Sequence, residues 1–256
     1  MGQKILNAER RAKNVLIHLS GDNTILIHMK MTGHLMYGKY TFDKKPGKKG
    51  VWSAVEKGPL QDPFNRFIHF VVCLSSGKQL VLSDTRKFAK VTLIETRDMA
   101  KSPHLKDIGP EIMTKDFNYR NFKERLIKKP TGRIKNVLMD QTIIAGVGNI
   151  YSDEALCRSS INPEERVKNI PEAKLKTLFL ETKKVLAKGI DFGGDSMSDY
   201  RNIDGERGKF QEHHMAYRRK GEPCKKNGCH GTIIRKIVGG RSAHFCDTHQ
   251  KLLKKI

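Results

Sequence analysis

The sequence predicts an α+β protein, with an antiparallel β-sandwich or barrel first, a helical region next and a zinc-bound β-hairpin at the C-terminus. Three observations support this order. Pairs of apolar runs flank short turn sequences in the N-terminal part, and helical periodicity replaces them from about Asp116. Three of the five cysteines then fall after residue 220.

The N-terminal region is predicted to fold as antiparallel strands. Each of two turn sequences, at 20–23 and 75–77, separates two apolar runs, which is the pattern of a β-hairpin. A polar loop with Gly and Pro is expected between these hairpins, from about Tyr37 to Pro63. The four predicted strands are Val15–Leu19, Thr24–His28, Phe67–Leu74 and Lys78–Leu82.

Helices are expected in the second half of the chain, at 122–127, 135–144, 152–158 and 171–188. The segment Ala145–Tyr151 joins the middle two, and its Gly-Val-Gly-Asn sequence lets the backbone approach a phosphate closely. Asn149 and the amides that begin the next helix could then bind a phosphate oxygen. An ordinary glycine-rich turn between helices explains the same residues equally well.

The C-terminal segment has the spacing of a metal site. Four soft or borderline ligands in two close pairs suit a tetrahedral structural Zn²⁺. The insert between the pairs has a β-rich run and a Gly239-Gly240 turn, so it is predicted to be a hairpin. His230 and His244 are alternatives for the fourth ligand. The predicted ligands, in a C-x4-C-x16-C-x2-H pattern, are Cys224, Cys229, Cys246 and His249.

The composition predicts a polyanionic partner. The chain has 49 Lys and Arg against 27 Asp and Glu, a net charge of +22. Nucleic acid is the commonest such partner, and an anionic membrane surface is the alternative. We find no apolar stretch of bilayer length and no signal-peptide pattern. Because the cysteines suit a metal better than disulfides, we expect an intracellular, reducing location.

Seven blocks, in chain order, resemble the formamidopyrimidine-DNA glycosylases and their endonuclease VIII relatives. One of them, Leu138–Glu154, resembles the helix–two-turn–helix signature of that family. The details are most similar to the branch that acts on formamidopyrimidines and 8-oxoguanine. The other blocks are 9–13, 27–33, 83–88, 108–111, 193–200 and 221–246.

The resemblance implies roles for particular residues. Met31, Arg86 and Phe88 match the triad that fills the gap left by an extruded base; without the resemblance, core packing or a solvated charge would be expected. Two residues match catalytic-site groups that stabilise charge or hold phosphates, namely Lys13 of the R-R-x-K block and Arg241 of the hairpin. Asn149, Lys129 and Lys135 are the implied helical phosphate contacts, and 193–217 aligns with the mobile segment that covers the flipped base.

The resemblance also implies an activity. Family members are base-excision repair enzymes, both DNA glycosylase and AP lyase, for oxidised purines in duplex DNA. An amine attacks C1′ with loss of the base, and β- and δ-elimination follow through a Schiff base. We therefore expect a monomer with one structural Zn²⁺, bound to duplex DNA that contains oxidised bases or abasic sites, in the cytoplasm or at the nucleoid.

Two departures from the family pattern qualify this expectation. Family members begin with Pro-Glu after removal of Met, and no residue of the opening Met1–Ile5 matches this pair. We expect a truncated sequence with an incomplete sandwich domain; the alternative is a shortened protein that binds damaged or abasic DNA without cutting it. The zinc pattern also differs from the usual C-x2-C pairs. The predicted domains are 1–108 (sandwich), 109–217 (helix–two-turn–helix) and 218–256 (zinc hairpin).

Overall fold

The computed structural model describes residues 2–44, 46, 50–197 and 199–253. The chain forms two compact units, Met1–Met99 with Gly189–Glu212 and Ala100–Lys188 with His213–Ile256. These units differ from the three domains named above, whose boundaries stay a prediction. Met1, where the sequence opens, and Ser198, within the sixth family-like block, lie outside the described residues.

The first unit contains antiparallel sheets. Strands β1, β2, β3 and β9 form one sheet in the order β1-β2-β3-β9, and a second has the order β4-β8-β7. Strands β5 and β6 form a separate hairpin. The strands are β1 (Ile5–Arg11), β2 (Asn14–Leu19), β3 (Asn23–His28), β4 (His34–Gly38), β5 (Tyr40–Asp43), β6 (Val51–Ala54), β7 (Ile68–Cys73), β8 (Gln79–Ser83) and β9 (Lys90–Glu95).

The two sheets pack through alternate side chains. Ile17 and Ile27 from the first sheet and Leu82 from the second are buried together in one apolar cluster. On β8, the neighbouring Val81 points to the opposite face and packs with Met36 and Tyr40, as the two-residue period of a strand requires. Both predicted hairpins are present as β2–β3 and β7–β8. The predicted antiparallel sandwich is therefore confirmed.

The prediction of a loop from Tyr37 to Pro63 was wrong in part, because β5 and β6 lie within this range. Their register pairs Phe42 with Trp52, and the two ring centroids lie 5.1 Å apart. Aromatic cross-strand pairs stabilise short antiparallel ribbons. Each strand has only four residues, which is too short for its alternation to stand out from the polar sequence around it.

In its described part, the second unit contains four α-helices and one β-hairpin. Its apolar cluster is built from large side chains of the helices, among them Phe122, Leu138, Leu156 and Leu178. Within the described residues, no helix has the length and apolar character of a membrane span. The elements are α1 (Tyr119–Leu126), α2 (Ile134–Met139), α3 (Asn149–Arg158), α4 (Glu172–Asp191), β10 (Ile233–Val238) and β11 (Arg241–Cys246).

The second helix is shorter than predicted. It ends at Met139 instead of Ile144, and Asp140 has an extended backbone with ψ 109°. The Asp140 carboxylate accepts hydrogen bonds from the backbone N–H of Thr142 at 2.9 Å and from its hydroxyl at 2.7 Å. Such local side-chain bonds compete with helix formation. Residues 140–148 therefore form the turns that lead into α3.

Candidate metal centre and nucleic-acid interface

The four predicted zinc ligands come together in the second unit. Their ligand atoms all lie within 4.8 Å of one another. Cys229 Sγ is 3.6 Å from Cys246 Sγ and 3.3 Å from His249 Nδ1. These separations suit one ion with bonds of about 2.0–2.3 Å. Among the described residues the cluster takes His249 and not His230 or His244, so this group could hold a metal ion.

The surrounding backbone prepares this cluster for a cation. The N–H of Lys226 points to Cys224 Sγ and that of Thr248 to Cys246 Sγ, each at 3.4 Å. The Nε2 atom of His249 lies 3.1 Å from the carbonyl oxygen of Cys157. A hydrogen bond there places the proton on Nε2 and leaves Nδ1 free toward the sulfurs, as metal-binding histidines require. The donor set therefore fits Zn²⁺.

The hairpin tip presents Arg241. Gly239 and Gly240 have φ values of 56° and 77° between the paired residues Val238 and Arg241. Positive φ at both central residues of a two-residue loop is the requirement of a type I′ turn, which glycine meets without strain. Arg241 is the first residue of β11 and its side chain is exposed. Its guanidinium is therefore open to a ligand.

Asn149 is the first residue of α3, close to the hairpin. The turn before it contains Gly146 with φ 93°, and Gly148 caps the helix without a side-chain hydrogen bond. The Nδ2 atom of Asn149 lies 3.5 Å from Ser242 Oγ on β11. Helix N-termini attract anions through unpaired N–H groups and the helix dipole. Asn149 and Arg241 thus belong to one region of the second unit.

The two predicted lysine contacts have different surroundings. Lys129 is half-exposed and forms an ion pair with Asp140. Lys135 is fully buried and forms an ion pair with Asp153, whose side chain is also fully buried. A buried, paired ammonium cannot reach a phosphate, so the expectation for Lys135 needs correction. The charge of Lys135 signalled a polar partner, but only the tertiary structure identifies that partner as Asp153.

Three turns of the sandwich lie at one end of its first sheet. The register pairs Arg11 with Asn14, Asn14 with His28 and His28 with Lys90, so the connections after β1, after β3 and before β9 share an edge. Each connection has one non-glycine residue with positive φ, at Ala12, Lys30 and Lys87. This edge, which we call the sandwich edge, carries Lys13, Met31, Arg86 and Phe88.

The apolar members of the sandwich edge are exposed. Met31 is 65% and Phe88 is 55% exposed, which excludes core packing for both. Arg86 Nη1 lies 3.8 Å from Met31 Sδ, so these two side chains touch. Lys13 is exposed too. Large apolar side chains that are exposed on the same edge of a sheet indicate a binding surface.

Asp84 supports this edge and was not singled out from the sequence. Its buried carboxylate accepts hydrogen bonds from the Thr32 hydroxyl, from Arg86 N at 3.2 Å and from Ala89 N at 2.7 Å. It therefore joins the turn that carries Met31 to the turn that carries Arg86. A signal was available, because an acidic residue directly after an apolar strand often binds the backbone of the following turn.

The segment predicted to cover a flipped base, 193–217, divides between the two units. Within the first unit, Arg201 Nη2 lies 3.0 Å from both carboxylate oxygens of Asp62. Asn65 donates a hydrogen bond to Gly205 O at 3.2 Å, and Thr85 donates one to Asp199 at 3.1 Å. Residues 199–205 are therefore anchored to the sandwich.

Comparison with known proteins agrees with these features. The family model described as the formamidopyrimidine-DNA glycosylase N-terminal domain matches residues 1–91, and the one described as its H2TH domain matches residues 108–201. The formamidopyrimidine-DNA glycosylase of Heliobacterium modesticaldum is 35% identical over 250 residues, which cover 98% of this chain and 83% of the relative. The chain belongs to the formamidopyrimidine-DNA glycosylase family.

Further members are similarly close. The formamidopyrimidine-DNA glycosylase of Bacillus subtilis is 37% identical over 247 residues, covering 96% of this chain and 80% of that protein. The Lactococcus lactis glycosylase, solved in complex with DNA containing an abasic site, superimposes with a TM-score of 0.80 at 30% identity, covering 98% of this chain and 83% of that one. A complex of a variant of the same glycosylase holds Fapy-dG DNA, with the same score and identity.

Proposed function

We propose that this chain is a base-excision repair DNA glycosylase and AP lyase for oxidised purines, such as 8-oxoguanine and formamidopyrimidines, in duplex DNA. The observation that carries the proposal is the exposed trio of Met31, Arg86 and Phe88, in a chain of the formamidopyrimidine-DNA glycosylase family. A DNA substrate places the activity inside the cell, at the nucleoid if the host is bacterial.

The trio has the chemistry needed to stabilise an opened duplex. Extrusion of a base removes stacking that an aromatic ring or an apolar side chain can replace. Phe88 supplies the ring and Met31 the flexible apolar group, while Arg86 supplies N–H donors for the base left without its partner. The contact between Arg86 and Met31 keeps the donor beside the apolar group.

We propose that exposed cationic side chains and the N-terminus of α3 bind the phosphates of DNA. Lys13 and Arg241 are exposed, and Asn149 lies at a helix N-terminus. We propose that Lys13 stabilises charge beside the reacting sugar and that Arg241 holds a phosphate with its guanidinium fork. Lys129 could add a contact if it leaves Asp140. Lys135 is omitted because it is buried.

We propose one structural Zn²⁺ held by Cys224, Cys229, Cys246 and His249. All four ligand positions are filled by the protein, so the ion would link the two ends of the hairpin sequence and leave no open position for substrate. The chemistry at DNA would then belong to the protein's own groups.

Borohydride trapping on a duplex with one 8-oxoguanine tests the activity. A lyase that passes through a Schiff base gives a covalent adduct with the DNA when the imine is reduced. We expect an adduct, and a matched duplex with guanine is the control. Binding of the folded protein to the lesion in a gel shift, with no adduct, would favour the alternative of a damaged-DNA or abasic-site binder that does not cut.

A further inference from the structure

A buried ion pair lies beneath the hairpin. Lys135 on α2 and Asp153 on α3 are both 0% exposed and their side chains are in direct contact. Burial lowers the pKa of Lys135, and the Asp153 carboxylate opposes that effect. Removing two charges from water has a large free-energy cost, so such pairs add little net stability compared with an apolar replacement of equal volume. Net stability therefore does not explain why this ion pair is buried.

The second carboxylate oxygen of Asp153 binds the hairpin. It accepts the backbone N–H of His244 at 2.9 Å and lies 3.3 Å from Nδ1 of the same residue. His244 is in the middle of β11, three residues after Arg241. One carboxylate thus joins α2, α3 and β11, and its charge is balanced by Lys135.

Two further hydrogen bonds dock the hairpin nearer its tip. Asn136 Nδ2 lies 3.3 Å from the carbonyl oxygen of Gly239, and Asn149 Nδ2 lies 3.5 Å from Ser242 Oγ. The edge of the Tyr217 ring also contacts the His244 ring, with centroids 5.0 Å apart. The turn and strand β11 are therefore held by side chains of α2 and α3 and by the Tyr217 ring.

The metal cluster cannot supply this positioning alone. Its nearest ligand on the strand, Cys246, is the last residue of β11, whereas Arg241 is the first. Five residues of extended strand span about 17 Å. A restraint at one end of a two-stranded ribbon leaves the other end free to bend and twist, because isolated hairpins are marginally stable.

We propose that Asp153, held in place by Lys135, is a positioning residue that sets β11 against α3 so that Arg241 and Asn149 address neighbouring phosphates. This inference rests on the proposed function, since it assumes that Arg241 binds DNA. It assigns Lys135 a structural role behind the DNA-binding surface in place of the direct contact expected from the sequence.

The test uses the double variant Lys135→Met/Asp153→Leu. It replaces the pair by apolar groups, so no buried charge is left unpaired, and it keeps the net charge of +22. Dissociation constants for a THF-containing duplex are measured over a range of salt concentrations, with zinc content determined in parallel. We expect retained zinc, affinity weaker by about tenfold and a log–log salt slope lower by about 0.9, the value of one phosphate contact.

Measuring the effect of the double variant on DNA affinity in an Arg241→Ala background tests whether Asp153 acts through Arg241. If Asp153 acts through Arg241, the double variant should weaken binding by less than about twofold when Arg241 is already Ala. A full additive loss in that background, or an unchanged salt slope in the double variant, would overturn the inference. An unchanged slope in Arg241→Ala itself would instead contradict the phosphate contact in the proposed function.

Amide hydrogen exchange of the unaltered protein gives a second test that does not depend on how a variant folds. The His244 N–H is donated to Asp153 and should be protected before DNA is added. Rapid exchange in free protein that slows only on DNA binding would show that the hairpin is not positioned in advance, and the inference would fail.

Discussion

Arg86 Nη1 lies 3.8 Å from Met31 Sδ, although 55 residues separate them in the chain. The two turns that carry them are joined by the buried Asp84 carboxylate, which binds Thr32 in one turn and the N–H groups of Arg86 and Ala89 in the other. The exposed side chains that we propose to face DNA are thus supported by a buried carboxylate.

Because Met31 and Phe88 are exposed, their substitution should weaken DNA binding without lowering the stability of the fold. We expect Phe88→Ala to weaken binding to a THF-containing duplex by about tenfold, because base stacking on an aromatic ring contributes about 1–3 kcal/mol. Met31→Ala should have a smaller effect in the same direction. Melting temperatures should change little, since both side chains are more than half exposed.

Leu93 provides a matched control for that prediction. It is 63% exposed in the same unit but lies on β9, outside the sandwich edge. Leu93→Ala should leave DNA affinity unchanged. Equal losses from Leu93→Ala and Phe88→Ala would show that the effect is not specific to the sandwich edge.

Loss of one proposed zinc ligand should unfold the hairpin. Cys246→Ala removes a fully buried ligand from the cluster, and metal binding free energy is coupled to the folding of small metal-bound elements. We expect zinc content to fall from one per chain to near zero and DNA binding to be lost. His249→Cys should keep the metal, because thiolate is an equally good ligand.

Cys73→Ala is the control for the metal prediction. Cys73 is exposed and lies in the other unit, outside the cluster. Its substitution should change neither zinc content nor DNA affinity. If Cys246→Ala bound DNA normally without zinc, the metal would not be needed to present Arg241.

The hydrogen bonds of Asp84 predict that the free energy of unfolding depends on pH. Burial alone would raise the pKa of its carboxyl, but hydrogen bonds from Thr32 and from the backbone of Ala89, Arg86 and Phe88 outweigh this effect and hold the pKa below its ordinary 3.8. A carboxyl with a lower pKa in the folded state stabilises the fold above its unfolded pKa. That contribution is lost as the pH falls from 3.8 through the lower pKa that Asp84 has in the folded state.

The measurement is the free energy of unfolding as a function of pH. Asp84→Asn should lower it by about 1–3 kcal/mol at pH 7 and should flatten its decline below pH 4. The control is Asp22→Asn, at an exposed turn of the same unit. If Asp84→Asn kept the full acid-side decline, other carboxyl groups would account for it.

Substitution by alanine should destabilise the protein to different extents at the adjacent glycines Gly239 and Gly240. Gly239 and Gly240 both have positive φ, so alanine at either position costs about 1–2 kcal/mol. A Cβ on Gly240 would meet open space, but one on Gly239 would collide with Asn136 Nδ2. Gly239→Ala should therefore lower the melting temperature further than Gly240→Ala.

The extra cost should come from the displaced Asn136 side chain and its hydrogen bond to Gly239. Adding Asn136→Ala to Gly239→Ala should then bring the melting temperature back toward that of Gly240→Ala. If the additional substitution lowered it again, the strain would lie in the backbone and not in this contact.

Much of the fold could be predicted from local patterns. Alternating apolar residues around short turns placed β2, β3, β7 and β8, and helical periodicity placed α1, α3 and α4 within a few residues. The β5–β6 hairpin was missed because each strand has only four residues. The end of α2 was missed because the Asp140 side chain binds the next turn, an interaction that apolar periodicity does not report.

The sequence by itself determined that Cys224, Cys229 and Cys246 could hold a metal with a nearby histidine, because ligand identity and short spacing suffice for that inference. The tertiary structure then placed His249 in the cluster and not His230 or His244. It also indicated, through the family resemblance, that Met31, Arg86 and Phe88 act together. Only the tertiary structure decided that Lys135 is buried against Asp153, 18 residues away, and that this carboxylate binds His244, 91 residues further on. The physical reason is that burial and pairing of a charge depend on long-range contacts, whereas spacing along the chain controls only local geometry.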